Sequence, residues 1–225
     1  MLIEKPKSFI SPEFIVRQAI RPWEVSASAR LRFDTFVKEQ GIFNHHDRDE
    51  VDEDMIPIVA VSTLASEEDE VVGTVRIHQP EIGVWWGSRL TVSPRYRRVG
   101  RLGPELIRFA VGTAIMHGCN LFLAHVQMRN VPLFKKLNWD EVESLEIHGQ
   151  THMKMKANLS AFGSVSDPKR GWITSTKKRA ACIYLSYEPT AAPEVLLKLL
   201  CHTQPPFSHP EGSYHQDHHV QTPSI

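Results

Sequence analysis

The run Arg89-Leu90-Thr91-Val92-Ser93-Pro94-Arg95-Tyr96-Arg97-Arg98-Val99-Gly100-Arg101-Leu102-Gly103-Pro104-Glu105-Leu106-Ile107 passes from a strand through a bend into a helix. The strand signal begins at Val84 and stops at Ser93-Pro94, and helical spacing then runs to about His117, where Gly118 closes it. Pro104 suits a first helical position. Such a bend leaves the first backbone N–H groups of the helix without partners, which makes a seat for phosphate. Gly100 permits a positive φ or close approach of an anion, and Arg95, Arg97, Arg98 and Arg101 concentrate positive charge there. A solvated basic loop before an ordinary helix is the plainer alternative.

Working outward, Phe14 to Ile20 reads as a strand stopped by Pro22, and Trp23 to Gln40 as a helix carrying Ala29, Phe33, Phe36 and Val37, ended by Gly41. The acidic run Asp47 to Asp54 is either a solvated loop or an attractor for a cationic amine. Ile56 to Leu64 and Glu70 to His78 read as a hairpin about the polar turn Ser66 to Asp69. After the central helix come an apolar strand, Leu121 to Gln127, and a short helix, Val131 to Leu137, with Pro132 in its first turn. Two strands, Val142 to Ile147 and His152 to Leu159, flank a turn at Gly149. This order predicts an α/β fold with a mixed, largely antiparallel sheet covered by helices. A domain over residues 1–160 is expected, then an extension over 161–201 with a short strand and helix, then a disordered tail over 202–225.

Lys plus Arg and Asp plus Glu both total 26, so no general electrostatic pull toward nucleic acid or anionic membrane is expected. Three scattered cysteines without a CxxC pair fit a reducing compartment, and the chain reads as cytoplasmic, without secretory signal or membrane span. His209, His215, His218 and His219 sit in a polar tail with no scaffold, so no metal site is expected.

Arg97-x-x-Gly100-x-Leu102 resembles the cofactor motif Arg/Gln-x-x-Gly-x-Gly/Ala of the GNAT acetyltransferases, with Leu102 departing at the last position and Gly103 following it. Arg32-Phe33-Asp34-Thr35-Phe36-Val37-Lys38-Glu39-Gln40-Gly41 is similar to the first helix of the Glu-Gln-Gly subgroup. Val72-Gly73-Thr74-Val75-Arg76-Ile77, His125-Val126-Gln127, Asn130 to Trp139 and His152-x-x-Met155 resemble further segments of that subgroup in the same order. Trp85-Trp86-Gly87-Ser88-Arg89-Leu90 adds a likeness to acetyltransferase-like proteins of bacterial nitrilase gene clusters.

The resemblance implies a splayed parallel pair formed by the fourth and fifth strands. It also implies transfer of an acetyl or short acyl group from acetyl-CoA to the amine of a small molecule; a homodimer is a further expectation, from the exposed edges of such a sheet. Pantetheine is expected along Leu90, Thr91 and Val92, and pyrophosphate on Arg97, Arg98, Val99, Gly100, Arg101, Leu102 and Gly103, with Asn130 and Phe134 nearby. Phe134 stands where many family members carry a tyrosine that protonates the departing thiolate. His125 and Glu39 are the candidate bases. The alternatives are a hydrogen-bonded core histidine and a solvated helix end. Two other functions remain open at this point: a non-catalytic acyl-CoA-binding module, and acyl transfer of the autoinducer-synthesis type.

Overall fold

In the computed structural model, which describes residues 10–175, eight strands form one sheet in the order β6-β7-β5-β4-β3-β2-β1-β8. They are β1 Glu13–Gln18, β2 Ile56–Leu64, β3 Glu67–Glu81, β4 Val84–Val92, β5 Leu121–Gln127, β6 Trp139–Ile147, β7 Gln150–Ala157 and β8 Trp172–Ser175. All neighbours pair antiparallel except β4 and β5, which are parallel. The helices are α1 Pro22–Phe33, α2 Val51–Asp54, α3 Leu102–Met116 and α4 Val131–Lys136. The expected α/β architecture with its parallel β4–β5 pair is present.

Alternation along the strands sorts side chains between two faces. Ile58 and Ala60 of β2 face the larger core, which holds Leu106, Phe109 and Ala110 of α3. Val59 and Val61 face the opposite way, toward Ala27 and Leu31 of α1. The helix α3 therefore covers one face and α1 the other.

Helix α1 departs from the sequence reading. Its buried residues are Glu24, Ser28 and Arg32, and the chain then widens into a π-helical stretch, Asp34–Glu39, that buries Thr35 and Phe36. Gln40 N–H reaches Thr35 O at 2.9 Å, a wider loop than an α-turn. Polar burial is tolerated because each group is paired. Glu24 accepts from Arg17 Nε at 2.8 Å and from the Ile20 and Arg21 N–H groups at 3.1 Å each.

The edge strand β8 is a further difference. Residues 161–175 do not leave the sheet: Val165 is buried, Trp172 packs on Phe109, and Trp172 to Ser175 pair with β1. This strand lies inside the segment that the sequence reading assigns to the extension. The expected strand near Ala180, the helix near Pro193, the tail and its histidines all lie outside the described residues. Among the described residues, no helix is long and apolar enough to cross a membrane.

Candidate active site

Strands β4 and β5 pair only from Val84↔Leu121 to Gly87↔Ala124, and beyond that point they part. Two features of β4 hold the split open. The register with β3 shifts between Thr74↔Thr91 and Arg76↔Ser88, so Arg89 and Leu90 together face Val75 in a β-bulge. Arg89 takes φ 55° there, an uncommon value for a side-chain-bearing residue. Beyond the bulge Ser93 donates its N–H to Val72 O at 2.8 Å on the β3 side. By strand alternation, the N–H and C=O of Val92 then point into the split.

A cleft of about 900 Å³ threads this split. On the α3 face it is lined by Leu90, Val92, Leu102, Ile107, Phe122 and Phe134, members of or packed on the larger core. On the α1 face its walls include Phe36, His78, Trp86, Arg89 and His125. The split thus joins an apolar channel to a chamber rich in aromatic and basic groups.

The bend predicted from the sequence sits at the mouth of the apolar side. A tight turn, Pro94–Val99, precedes Gly100, whose φ of 78° is left-handed. That conformation favours glycine. Helix α3 starts at Leu102, so Pro104 is its third residue and not its first. The correction has a benefit: the N–H groups of Leu102 and Gly103 open the helix with no acceptor inside it. Leu102, the departure from the Gly/Ala pattern, turns into the core at 1% exposure and does not crowd the bend.

Of the residues expected at the cofactor, Leu90, Thr91, Val92, Arg97, Gly100, Leu102, Gly103, Asn130 and Phe134 line the cleft. Arg101 turns away instead and donates to Ser175 O of β8 at 3.0 Å. Arg98 is exposed and outside the cleft lining. Arg97 bonds Val92 O through Nε at 2.9 Å and forms a fork with Glu39 at 2.5 Å on both oxygens. The Arg97 hydrogen bonds hold the Glu39 carboxyl below its ordinary range. Glu39 is therefore a poor proton acceptor near neutrality, and its evident work is to hold Arg97. Thr91 packs inward, its hydroxyl 2.8 Å from that of Thr35.

His125 is not the hydrogen-bonded core histidine of the alternative reading. The residue as a whole is exposed, while its ring lies 4.8 Å from the Trp86 ring, tilted by 57° and partly covered on the wall of the α1-face chamber. Burial of the ring, then the nearby Lys154 and His152 charges, push its pKa below the usual histidine value. An imidazole that is neutral at physiological pH suits proton removal. His152, by contrast, is buried, with Nδ1 2.8 Å from Gln150 O. Trp85 and Trp86 point to opposite faces as alternation requires: Trp85 stacks on His117 at 5.7 Å, and Trp86 enters the cleft.

Sequence reasoning missed the charge network beneath this chamber. Asp47, Asp49 and Asp52 are not free to attract substrate. Arg32 Nε holds Asp47 at 2.6 Å and its Nη1 holds Asp52 at 2.5 Å. Arg76 clamps Asp49 with two bonds of 2.6 Å and touches Asp52 at 2.8 Å. Two arginines on separate elements, Arg32 of α1 and Arg76 of β3, gave no local signal that they converge. Also unforeseen is the roof, where Phe43 meets His148 of the β6–β7 turn at 5.1 Å and Gln127 bonds Gln40 at 3.1 Å.

A model of the acetyltransferase (GNAT) family matches residues 19–139. No curated protein sequence shows a significant match. Among solved structures, the fold resembles a putative N-acetyltransferase from Lactobacillus plantarum at 19% identity and TM-score 0.58, covering 65% of this chain and 98% of that one. Escherichia coli ElaA is similar at 20% identity and TM-score 0.54, over 64% of this chain and 98% of the other. An aminoglycoside 6'-N-acetyltransferase complexed with coenzyme A is similar at 16% identity and TM-score 0.53, over 64% and 97%. With more than half of the sequence matched and the split sheet in place, the chain belongs to the acetyltransferase (GNAT) family of acyl-CoA-dependent N-acyltransferases.

Proposed function

We propose that this cleft moves an acetyl or short acyl group from coenzyme A to the amine of a small molecule. The observation that carries the reading is the split between β4 and β5, which joins the Gly100 bend on one face to His125 on the other. The fit to the cosubstrate is tested by the bend itself: Gly100 is left-handed, and an added Cβ would come no nearer than 4.0 Å to Arg98 O. The Leu102 and Gly103 amides favour a pyrophosphate there. Val92 N–H and C=O, at the edge where β4 has lost its partner, suit the amides of a pantetheine arm. Asn130 and Phe134 flank the same channel.

Bound acyl-CoA supplies the activated acyl group. His125 accepts the proton of the attacking amine, and a β4 N–H in the split donates to the carbonyl oxygen as negative charge develops. One such donor is worth about 3–4 kcal/mol of barrier. The Phe134 ring packs edge-on against Trp139 at 5.0 Å and has no proton to give. A free thiol has pKa ~8.5, so release needs no dedicated acid. Glu39, paired with Arg97, and Gln40, bonded to Gln127, support placing the chain in the Glu-Gln-Gly subgroup.

Phe134 also favours a second reading, a module that binds acyl-CoA without turning it over. Thiol release from acetyl-CoA with a panel of small amines, run beside calorimetric CoA binding, separates them. Amine-dependent release supports transfer; tight CoA binding without release supports the module. A protein that binds no CoA at all would overturn both.

A further inference from the structure

We propose that the amine acceptor also carries an anionic group, a carboxylate in the simplest case, which Arg89 binds on the α1 face of the split. This rests on the acyl-transfer reading and names the substrate class for it.

The first support is the sign of the charge around the cleft. Among the described residues that line it, the one acid is Glu39, and both of its oxygens are taken by Arg97. The acidic run, which the sequence offers as an attractor for a cationic amine, is spent on Arg32 and Arg76. Arg76, Arg89, Arg97 and Arg129 all line the cleft. A polycationic amine would meet repulsion and find no carboxylate to compensate it.

The second support is the state of Arg89. Its Nε and Nη2 reach Asp47 O at 3.3 and 3.1 Å, Nε lies 3.4 Å from Asp47 Oδ2, and Nη2 reaches Asp49 at 3.1 Å, while among the described residues Nη1 makes no hydrogen bond. Its carboxylate neighbours are shared: Asp47 belongs first to Arg32 at 2.6 Å, and Asp49 to Arg76 at 2.6 Å. The side chain is only 18% exposed. Burial, then Arg76, depress the Arg89 pKa by more than Asp49 and Asp47 raise it. The guanidinium is therefore short of counter-charge, and an anion offering two oxygens would relieve it.

Two further features shape the ligand. His78 lies at the cleft wall and, among the described residues, its buried Nδ1 has no hydrogen-bond partner. Its pKa is lowered by burial and by Arg76, in keeping with a neutral ring. The walls are flat: Trp86 with His125 on one side, and Phe43, which lies 4.5 Å under the Arg89 guanidinium, on the other. A planar apolar body between amine and carboxylate fits this chamber.

The test compares p-aminobenzoate, p-aminobenzamide and 4-aminobenzylamine, which present an anion, a neutral amide and a cation on one ring. Their affinities for the full-length protein are measured by calorimetry or ligand-observed NMR, with and without saturating CoA. The carboxylate should bind at least about tenfold more tightly than the amide, with the cationic amine weakest. Arg89→Gln should erase that preference and Arg89→Lys should keep part of it, with thermal melting and CoA affinity checking the fold. Should Arg89→Gln fail to fold, the wild-type comparison still decides. Equal or tighter binding of the amide or the benzylamine overturns the proposal, as does absence of carboxylate binding, or a folded Arg89→Gln protein that keeps the preference. CoA binding and thiol release in the same samples report separately on acyl transfer.

Discussion

In the proposed transfer, Gly100 and His125 are the residues with the most to test. At φ 78° with open space around it, Gly100 is needed for its backbone shape and for access. Gly100→Val should cost about 1–2 kcal/mol of stability through backbone strain and weaken CoA binding by more than tenfold. Calorimetry with CoA checks this, and unchanged affinity would remove the bend from the site. For His125 the sign of the pH dependence follows from burial. A neutral base is active above its pKa, and burial with Lys154 and His152 lowers that pKa, so the acid limb of kcat/KM should lie below the ordinary histidine range. His125→Gln should lower kcat/KM by about 100-fold and abolish that acid limb. A pH–rate profile that keeps the limb in the variant would assign the base elsewhere. At this scale the sequence placed nine of the expected cofactor residues on the cleft. It carried no sign that Glu39 and Arg101 hydrogen-bond to partners 58 and 74 residues away in the chain.

Among elements, α1 with its π-helical continuation is the instructive case. Its inward stripe is polar, so apolar periodicity carried little information. The partners that explain the stripe come from elsewhere: Arg17 of β1 for Glu24, and for Arg32 the acids of the Asp47–Asp54 segment, which looked like a solvated loop. Asp52 makes the point in energy. Burial pushes its pKa up, but hydrogen bonds from Arg32 and the Asp49 N–H, and the Arg32 and Arg76 charges, hold it well below the usual carboxylate range. A depressed folded-state pKa contributes stability that is complete above the unfolded value of about 3.9 and is lost as pH falls below it. Asp52→Asn should therefore destabilise the protein by about 3 kcal/mol at neutral pH, since it leaves a buried arginine short of charge. The difference in melting temperature between wild type and variant should shrink as pH falls from about 4 to 2. A constant difference across that range would mean that the ion pair is not the source.

For the molecule as a whole, the sheet is completed by a strand that the sequence did not signal. Strand β8 is four residues long and follows a polar stretch, too short for alternation to register. Its docking depends on Gly171, at φ 69°, where an added Cβ would lie 2.1 Å from Val16 O. Gly171→Ala should cost about 3 kcal/mol and lower the melting temperature by roughly 6–12 °C in a chain of this size. A shift under about 2 °C would show that β8 adds little to the whole.

The sequence alone determined the alternation of strands and helices, the strand–bend–helix unit around Gly100, and the side chains bordering the split. These are local matters, set by hydrophobic period, turn chemistry and glycine's access to positive φ within a few consecutive residues. Tertiary structure alone decided which charges cancel, which histidines gather at the cleft, and where the sheet ends. Those outcomes depend on side chains distant in the chain meeting in a medium too dry to leave any ion unpaired, and no local pattern encodes that meeting.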